Sequence, residues 1–138
     1  MYETNYKILC DIVNEKSVLR HVSKHRNPDG SFDIAGSLKI WNEAIARFEQ
    51  IFLWEEGAPN FKPEEELQPQ PSIVFVPAQN AEEPRGTVIV AHGGGFSTRT
   101  GCEGIHVAKY FSDAGFNTAI LTYSNDPNEK TSTGNVSS

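Results

Sequence analysis

The chain has no cluster of basic residues and no long apolar run. Its 138 residues include 12 Lys or Arg against 18 Asp or Glu, which gives a formal net charge of −6. Proteins that bind nucleic acid or anionic lipid carry a basic patch, so an acidic chain without one argues against both classes of partner. No stretch approaches the roughly 20 apolar residues of a membrane span, and residues 1–7 lack the basic start and apolar block of a signal peptide. These absences predict a soluble, cytoplasmic protein with no nucleic-acid partner and no membrane partner.

Cysteine is scarce as well, with two residues, Cys10 and Cys102, in unrelated contexts. Nothing in the sequence supports a disulfide between them, and two free thiols are expected in a reducing compartment. His21 and His25 have the spacing of one helical face, which is a spacing that metal ligands can use. Because no cysteine or carboxylate completes such a site, a polar helix face is the favoured interpretation. We expect neither a metal nor a cofactor.

Residues 1–52 have the apolar periodicity of helices. A first helix carries Tyr6, Leu9 and Val13 on one face, and Ser17 is positioned to cap a short second segment. A stronger stripe then recurs at steps of three and four residues: Leu38, Trp41, Ile45, Phe48 and Phe52. A stripe of this kind packs against a core. The sequence therefore predicts a helical N-terminal segment over residues 1–52.

Four segments between residues 53 and 123 predict an α/β fold. They are the strands Ser72–Val76, Thr87–Ala91 and Thr118–Tyr123, with a helix near Glu103–Ala114 before the last strand. Short apolar runs bounded by proline and glycine identify the strands, and Gly115 is a natural C-terminal cap for the helix. The order strand, helix, strand is a βαβ unit, so we expect a partial sheet of three to four strands with helices. Residues 124–138 are polar without either period and are predicted to form a disordered tail.

Three consecutive glycines follow the strand Thr87–Ala91, in the segment His92-Gly93-Gly94-Gly95-Phe96. A backbone without side chains can turn its N–H groups toward an anion. A tight turn with no ligand is the plain alternative. A dinucleotide site would need Gly-x-Gly-x-x-Gly and an acidic residue closing the next strand, where this chain has Tyr123 and Ser124. A phosphate-binding P-loop is excluded, because no Gly-Lys-Ser/Thr follows the glycines.

Three segments in order resemble a known family. They are the Trp54-x-x-Gly57-x-Pro59 lead-in, the strand and glycine loop Val88–Phe96, and the run from Glu103-Gly104 through Gly115-Phe116 to Leu121-Thr122-Tyr123. Together, residues 53–123 resemble the N-terminal part of an α/β-hydrolase of the carbohydrate-esterase and lipase type. The match is closest to acetylxylan-esterase-like and xylanase-associated esterases. In lipases and esterases an HGGG-type loop forms part of the oxyanion hole.

The resemblance implies a role for each residue of the loop. Gly94 and Gly95 would supply backbone N–H groups to the oxyanion. His92 would brace the loop through its ring instead of acting as a base, and Glu103 would tie the loop down. The substrate that it implies is a carbohydrate ester or a small-molecule carboxylic ester.

The family's nucleophile is missing from this sequence. No Gly-x-Ser-x-Gly occurs in the chain, and the family's catalytic acid and histidine come later still. We therefore expect the N-terminal portion of a serine carboxyl-ester hydrolase, inactive alone; the alternative is a non-catalytic remnant or a binding module. In the family the third strand lies between the fourth and a fifth. Without the fifth, Thr87–Ala91 would expose an apolar edge to self-association or to a complementing chain.

Overall fold

The computed structural model describes residues 2–15, 26–59, 61–62, 64–65, 67–94 and 99–124. In this part of the chain a mixed four-stranded sheet packs against three helices, so the fold is α/β as predicted. The helices are α1 (Glu3–Ile12), α2 (Ile34–Ala46) and α3 (Val107–Asp113), and a π-helical turn (Cys102–His106) leads directly into α3. The strands are β1 (Ile51–Phe52), β2 (Ser72–Val76), β3 (Thr87–Ala91) and β4 (Asn117–Thr122). None of the helices described here has the length and apolarity to cross a membrane.

The strands lie in the order β1-β2-β4-β3. β2 is antiparallel to both β1 and β4, whereas β3 is parallel to β4. A parallel pair requires a crossover connection, which the π-helical turn and α3 provide between β3 and β4. Because these two strands run in the same direction, their carboxyl ends lie at the same edge of the sheet. Within the described residues β3 has a strand on one side alone, so it is an edge strand.

One face of the sheet forms the core together with the helices. The register aligns Val90 with Ile120 and Ile120 with Val74, and all three side chains are at most 5% exposed. The helical residues in the same cluster are Leu9, Ile12, Trp41, Ala44, Ile45, Phe48, Ile105 and Ala108. The alternate sheet residues point the other way, and Ile89 among them is 68% exposed. The N-terminal helices and the sheet therefore share one core on one face of the sheet.

β2 and β3 have the predicted bounds, and β4 begins and ends one residue earlier than predicted. Residues 27–31 form a turn, since Gly30 N–H donates to Asn27 O with Gly30 at φ +89°. Gly115 ends α3 with φ +94°, as a C-terminal glycine does. Cys10 and Cys102 are both free thiols. The segment capped by Ser17, the pair His21 and His25, and residues 125–138 lie outside the described residues.

The stripe from Leu38 to Phe52 is not one continuous helix. α2 begins earlier, at Ile34, because the Asp33 carboxylate accepts a hydrogen bond from Gly36 N–H at 3.0 Å and caps the first turn. It ends at Ala46, and Phe52 lies in β1 opposite Ser72, 52% exposed. The helical spacing of apolar residues extends into β1, because a strand of two residues is too short to show the alternation that is typical of strands.

A side chain of α1 explains where α2 stops. Asn5 is fully buried; its Nδ2 donates to Glu49 O at 3.0 Å and to Phe75 O at 2.9 Å, and its Oδ1 accepts from Glu49 N–H at 2.9 Å. These bonds join α1 to the main chain of Glu49, which lies three residues after the end of α2, and to that of Phe75 within β2. The amide of Asn5 thus holds α1, the end of α2 and β2 together.

We predict that Asn5→Ala lowers the free energy of unfolding by about 2–3 kcal/mol, because it leaves buried main-chain groups without partners. Urea denaturation followed by tryptophan fluorescence measures this. Asn14→Ala is the matched control: Asn14 Nδ2 donates to Cys10 O on the exposed side of α1, so its loss should cost about 0.5 kcal/mol or less. Equal losses in the two variants would contradict the role given to Asn5.

Candidate functional site

The candidate site lies at the carboxyl ends of β3 and β4. His92 directly follows β3, and Tyr123 directly follows β4. Open α/β sheets bind ligands at the carboxyl ends of their strands, so this edge is where a site is expected. The parallel pairing brings together two residues that are 31 positions apart in the chain.

The ring of His92 is enclosed by aromatic side chains. It is 3% exposed and stacks on the Tyr123 ring, with centroids 4.3 Å apart and planes at 8°. The Trp41 ring of α2 also contacts it, tilted by 59° with 4.7 Å between the centroids. His92 Nδ1 is 3.0 Å from Gly93 O, and because a carbonyl oxygen can only accept, this bond requires the proton on Nδ1. Nε2 is then an acceptor, buried and without a partner among the described residues.

Burial sets the charge of His92. Desolvation is the largest influence and lowers the pKa of the imidazole below its ordinary value. The Arg99 charge lowers it further, while the bond to Gly93 O and the Glu103 carboxylate act in the opposite direction. The net lowering keeps the ring neutral at pH 7, which agrees with the tautomer that the hydrogen bond requires.

The main chain that enters the glycine loop is fixed by Tyr123. Its hydroxyl donates to His92 O at 2.6 Å while its ring stacks on the imidazole. The same side chain therefore holds both the backbone and the ring of His92. This hydroxyl joins the end of β4 to the first residue after β3.

Close contacts explain two glycines near the loop. A Cβ on Gly93 would overlap the Glu103 carboxylate, and a Cβ on Gly104 would overlap the Trp41 ring. Glycine is favoured at position 94 for another reason, because the φ of +139° there is a conformation that residues with side chains rarely adopt. The Glu103 side chain of the π-helical turn thus lies against the glycine loop, and the turn itself lies against Trp41 of α2.

The predicted site residues are only partly covered by the structure. His92 and Gly94 lie at the end of β3, and Glu103 lies in the π-helical turn, exposed and against Gly93. Gly95 lies outside the described residues. π-Helical turns are rare and often occur at functional sites, which makes the one that contains Glu103 notable at this position.

Arg99 is a site residue that the sequence did not indicate. It is 2% exposed, and its Nη2 donates to Tyr123 O at 3.1 Å. Its Nη1 donates to Asn42 Oδ1 at 3.3 Å and to Leu67 O at 3.4 Å. Burial lowers the pKa of its guanidinium to about 10, so the group is still charged at pH 7. An arginine in a polar loop resembles any solvated surface residue in sequence, and only the fold encloses it.

Comparison with known proteins gives no match. No protein-family model matches the chain, and neither does a curated protein or a solved structure. The function must therefore be argued from the residues and from their geometry.

The described residues contain no group of three or more His, Cys, Asp or Glu side chains that could hold a metal ion. What the site does combine is a main chain without side chains, a neutral histidine and an enclosed guanidinium. Main-chain N–H groups and a cation both stabilise negative charge, so anion stabilisation is the chemistry that this arrangement supports.

We predict that the free energy of unfolding decreases as the pH falls from 7.5 to 5.5. With a lowered folded pKa, His92 takes up its proton in the unfolded state first, near pH 6.5. Its contribution is intact above that pH and is lost below it, by at most about 1.4 kcal/mol per pH unit. Urea denaturation at three pH values measures the slope.

His92→Gln should flatten this pH dependence, whatever its effect on stability at pH 7.5. His106→Gln, at an exposed position of the π-helical turn, is the matched control and should retain the slope. If His92→Gln keeps the full slope, the titrating group is not His92.

Proposed function

We propose that this chain is the N-terminal portion of a serine carboxyl-ester hydrolase that carries the oxyanion-hole loop. One observation carries the proposal: the glycine main chain at 93–94 follows edge strand β3 after a single residue, His92, at the end of the sheet where ligands are expected to bind. The resemblance of residues 53–123 to the N-terminal part of carbohydrate esterases and lipases supports the same interpretation. The nucleophile is then supplied by sequence outside these residues.

In this proposal Gly94 and Gly95 donate main-chain N–H groups to the oxygen that becomes negative when an ester carbonyl is attacked. Such a donor contributes about 3–4 kcal/mol of transition-state stabilisation because it is already oriented before the reaction. The buried Arg99 guanidinium adds a positive field to the same region. The exposed Glu103 carboxylate beside Gly93 opposes that field, but water screens it.

His92 holds the loop and does not act as the base. Its Nδ1 bonds to the adjacent Gly93 O, and its Nε2 is buried against the protein. A general base must reach the proton that it removes, and neither ring nitrogen is open to a substrate. The imidazole instead fixes the first peptide of the loop through stacking and hydrogen bonding.

The serines of the described chain also support an external nucleophile. The hydroxyls that already donate to protein oxygens belong to Ser31, Ser37, Ser72 and Ser112. Ser124 lacks the flanking glycines of a nucleophile elbow. The same observation favours the second candidate, a non-catalytic module that retains the hydrolase scaffold.

We expect the chain by itself to hydrolyse p-nitrophenyl acetate no faster than buffer. Joined to the downstream sequence of its reading frame, it should hydrolyse acetyl esters, and Gly94→Val should lower kcat by about 100-fold or more. Gly57→Val is the matched control, because Gly57 has a single neighbour, at 4.0 Å, and should leave kcat unchanged.

Each alternative has its own outcome. If the chain alone hydrolyses the ester and Gly94→Val abolishes this activity, the nucleophile lies within the chain and the proposal of an external nucleophile is contradicted. If the extended protein hydrolyses the ester and Gly94→Val does not slow this reaction, Gly94 has no role in binding the oxyanion. A downstream frame with no Gly-x-Ser-x-Gly would favour the non-catalytic module.

The outer edge of β3 is the second part of the proposal. In the described residues β4 is the single strand paired with β3, and Ile89 in its middle is 68% exposed. An apolar edge strand with unpaired main-chain groups pairs readily with another chain. We propose that a second copy of this chain, or a complementing chain, covers this edge.

We expect the isolated chain to self-associate at tens of micromolar, as seen by size-exclusion chromatography with light scattering. Ile89→Lys should shift it toward the monomer, because a charge on an edge strand discourages pairing. Tyr110→Lys is the matched control, since Tyr110 is equally exposed at 68% but lies on α3. A clean monomer over that concentration range would remove the proposed role of the edge.

A further inference from the structure

Four consecutive apolar side chains are exposed where β1 ends. Ile51, Phe52, Leu53 and Trp54 are each between 39% and 52% exposed, and residues 55–57 after them are exposed as well. Large apolar side chains that adjoin one another on a protein surface mark a contact with a ligand or a partner. We refer to residues 51–54 as the β1 patch.

The strand directions place the β1 patch at the same edge of the sheet as the glycine loop. β2 is antiparallel to both β1 and β4, so β1 runs parallel to β4 and β3, and all three strands end at one edge. The register aligns Phe52 with Ser72 and Ser72 with Thr122. The register of β3 with β4 in turn makes His92 level with Thr122. Phe52 and His92 therefore lie in one row across the sheet.

This row has a definite length, because three strand spacings separate β1 from β3. Neighbouring strands lie about 4.8 Å apart, so the β1 patch is roughly 14 Å from the glycine loop. A small ester that is bound at the loop does not reach the patch. A chain of several sugar rings is long enough to occupy both places at once.

The main chain of the β1 patch is fixed by hydrogen bonds to the start of β2. Leu53 N–H donates to Pro71 O at 3.1 Å, directly before β2 begins. Ser72 Oγ donates to Gln50 Oε1 at 3.0 Å, just before β1 begins. A backbone that is ordered before the ligand arrives reduces the entropy that binding costs.

Charge and side-chain type select the ligand. Glu55 and Glu56 follow the patch and are exposed, and the chain has a net charge of −6. These carboxylates repel anionic lipid, nucleic acid and acidic sugars, but they accept hydrogen bonds from uncharged hydroxyl groups. The rings of Phe52 and Trp54 have flat faces against which the C–H groups of a pyranose can pack. A neutral oligosaccharide has both the hydroxyl groups and the C–H faces that these side chains match.

We propose that the β1 patch binds a sugar ring of a neutral oligosaccharide whose ester group lies at the glycine loop. Phe52 and Trp54 form the stacking surface, and Glu55 and Glu56 accept from the sugar hydroxyls. The position of the ester rests on the proposed function, and the inference names its substrate class as a neutral polysaccharide ester. Binding of the sugar itself requires no nucleophile and is a property of the chain alone.

Quenching of tryptophan fluorescence by acrylamide tests this binding on the unmodified chain. Of the two tryptophans, Trp41 is 1% exposed and Trp54 is 43% exposed, so the quencher reports on Trp54. Xylohexaose or cellohexaose, as neutral probes, should protect Trp54 from the quencher. Hexagalacturonate, which is acidic, and phosphatidylcholine vesicles should not. Protection by the vesicles and by neither neutral sugar would assign the patch to a lipid surface and overturn the proposal, as would protection by none of the probes.

Trp54→Ala should weaken binding of the protecting oligosaccharide by about tenfold or more, because it removes the larger stacking ring. Isothermal titration calorimetry measures the affinity without the tryptophan signal. Tyr110→Ala is the matched control, since Tyr110 is an exposed aromatic residue of α3 and its loss should leave the affinity unchanged. If Trp54→Ala does not fold, Phe52→Ala provides the same test. Unchanged affinity in the folded patch variants would overturn the proposal.

The protein extended by its downstream sequence separates this inference from the proposed esterase. There Trp54→Ala should raise KM for an acetylated oligosaccharide by about tenfold and leave kcat/KM for p-nitrophenyl acetate unchanged, because the small ester does not reach the patch. Equal losses on both substrates would give Trp54 a merely structural role and overturn the inference. An inactive extended protein would contradict the esterase and leave the sugar binding of the chain in place. Acetyl-ester hydrolysis without sugar binding would contradict this inference alone.

Discussion

The parallel pairing of β3 with β4 is the constraint on which the rest of the site depends. It brings the residues after the two strands, His92 and Tyr123, to one edge of the sheet. Their rings then stack at 4.3 Å and the tyrosine hydroxyl bonds to the histidine carbonyl. The glycine loop, the enclosed imidazole and the Arg99 guanidinium all depend on this contact. A shift of one residue in the β3–β4 register would turn every side chain of one strand to the other face and separate them.

The two charged side chains near the site differ in burial. The cation of Arg99 is buried, and the anion of Glu103 lies at the surface. Water screens an exposed carboxylate far more than an enclosed guanidinium, so the field inside the site is positive although the chain as a whole has a net charge of −6. The neutral state of His92 follows from the same burial, since a second enclosed cation beside Arg99 would be repelled.

The sequence predicted the strands better than the limits of the helices. β2 and β3 were identified residue for residue, because proline and glycine bound their short apolar runs. The end of α2 was not predicted, because Asn5 hydrogen-bonds to the main chain of Glu49 just after it. These two residues are 44 positions apart, and no local sequence pattern indicates such a contact. The cap at Asp33 could have been recognised from its residue type and its position before the apolar stripe. The first turn of the crossover helix is π-helical, which no periodicity of 3.6 residues indicates.

The candidate site was predictable in part for the same reason. Glycines after a strand are a signal in the residues themselves, so His92 and Gly94 were identified from the chain. The roles of Trp41 and Tyr123 were not, because each is an ordinary core or strand residue until the fold brings it against the imidazole. Arg99 carried no signal at all, since burial of a cation is a property of the surrounding structure. Three of the residues that define the site thus come from tertiary contacts.

The amide of Asn5 also has a consequence for the order in which the chain acquires its structure. Its partners Glu49 and Phe75 are 44 and 70 residues later in the sequence. Because α1 comes before both partners in the chain, it is synthesised before the main-chain groups that hold it. During translation α1 can therefore make these hydrogen bonds only after residues 49 and 75 have emerged from the ribosome.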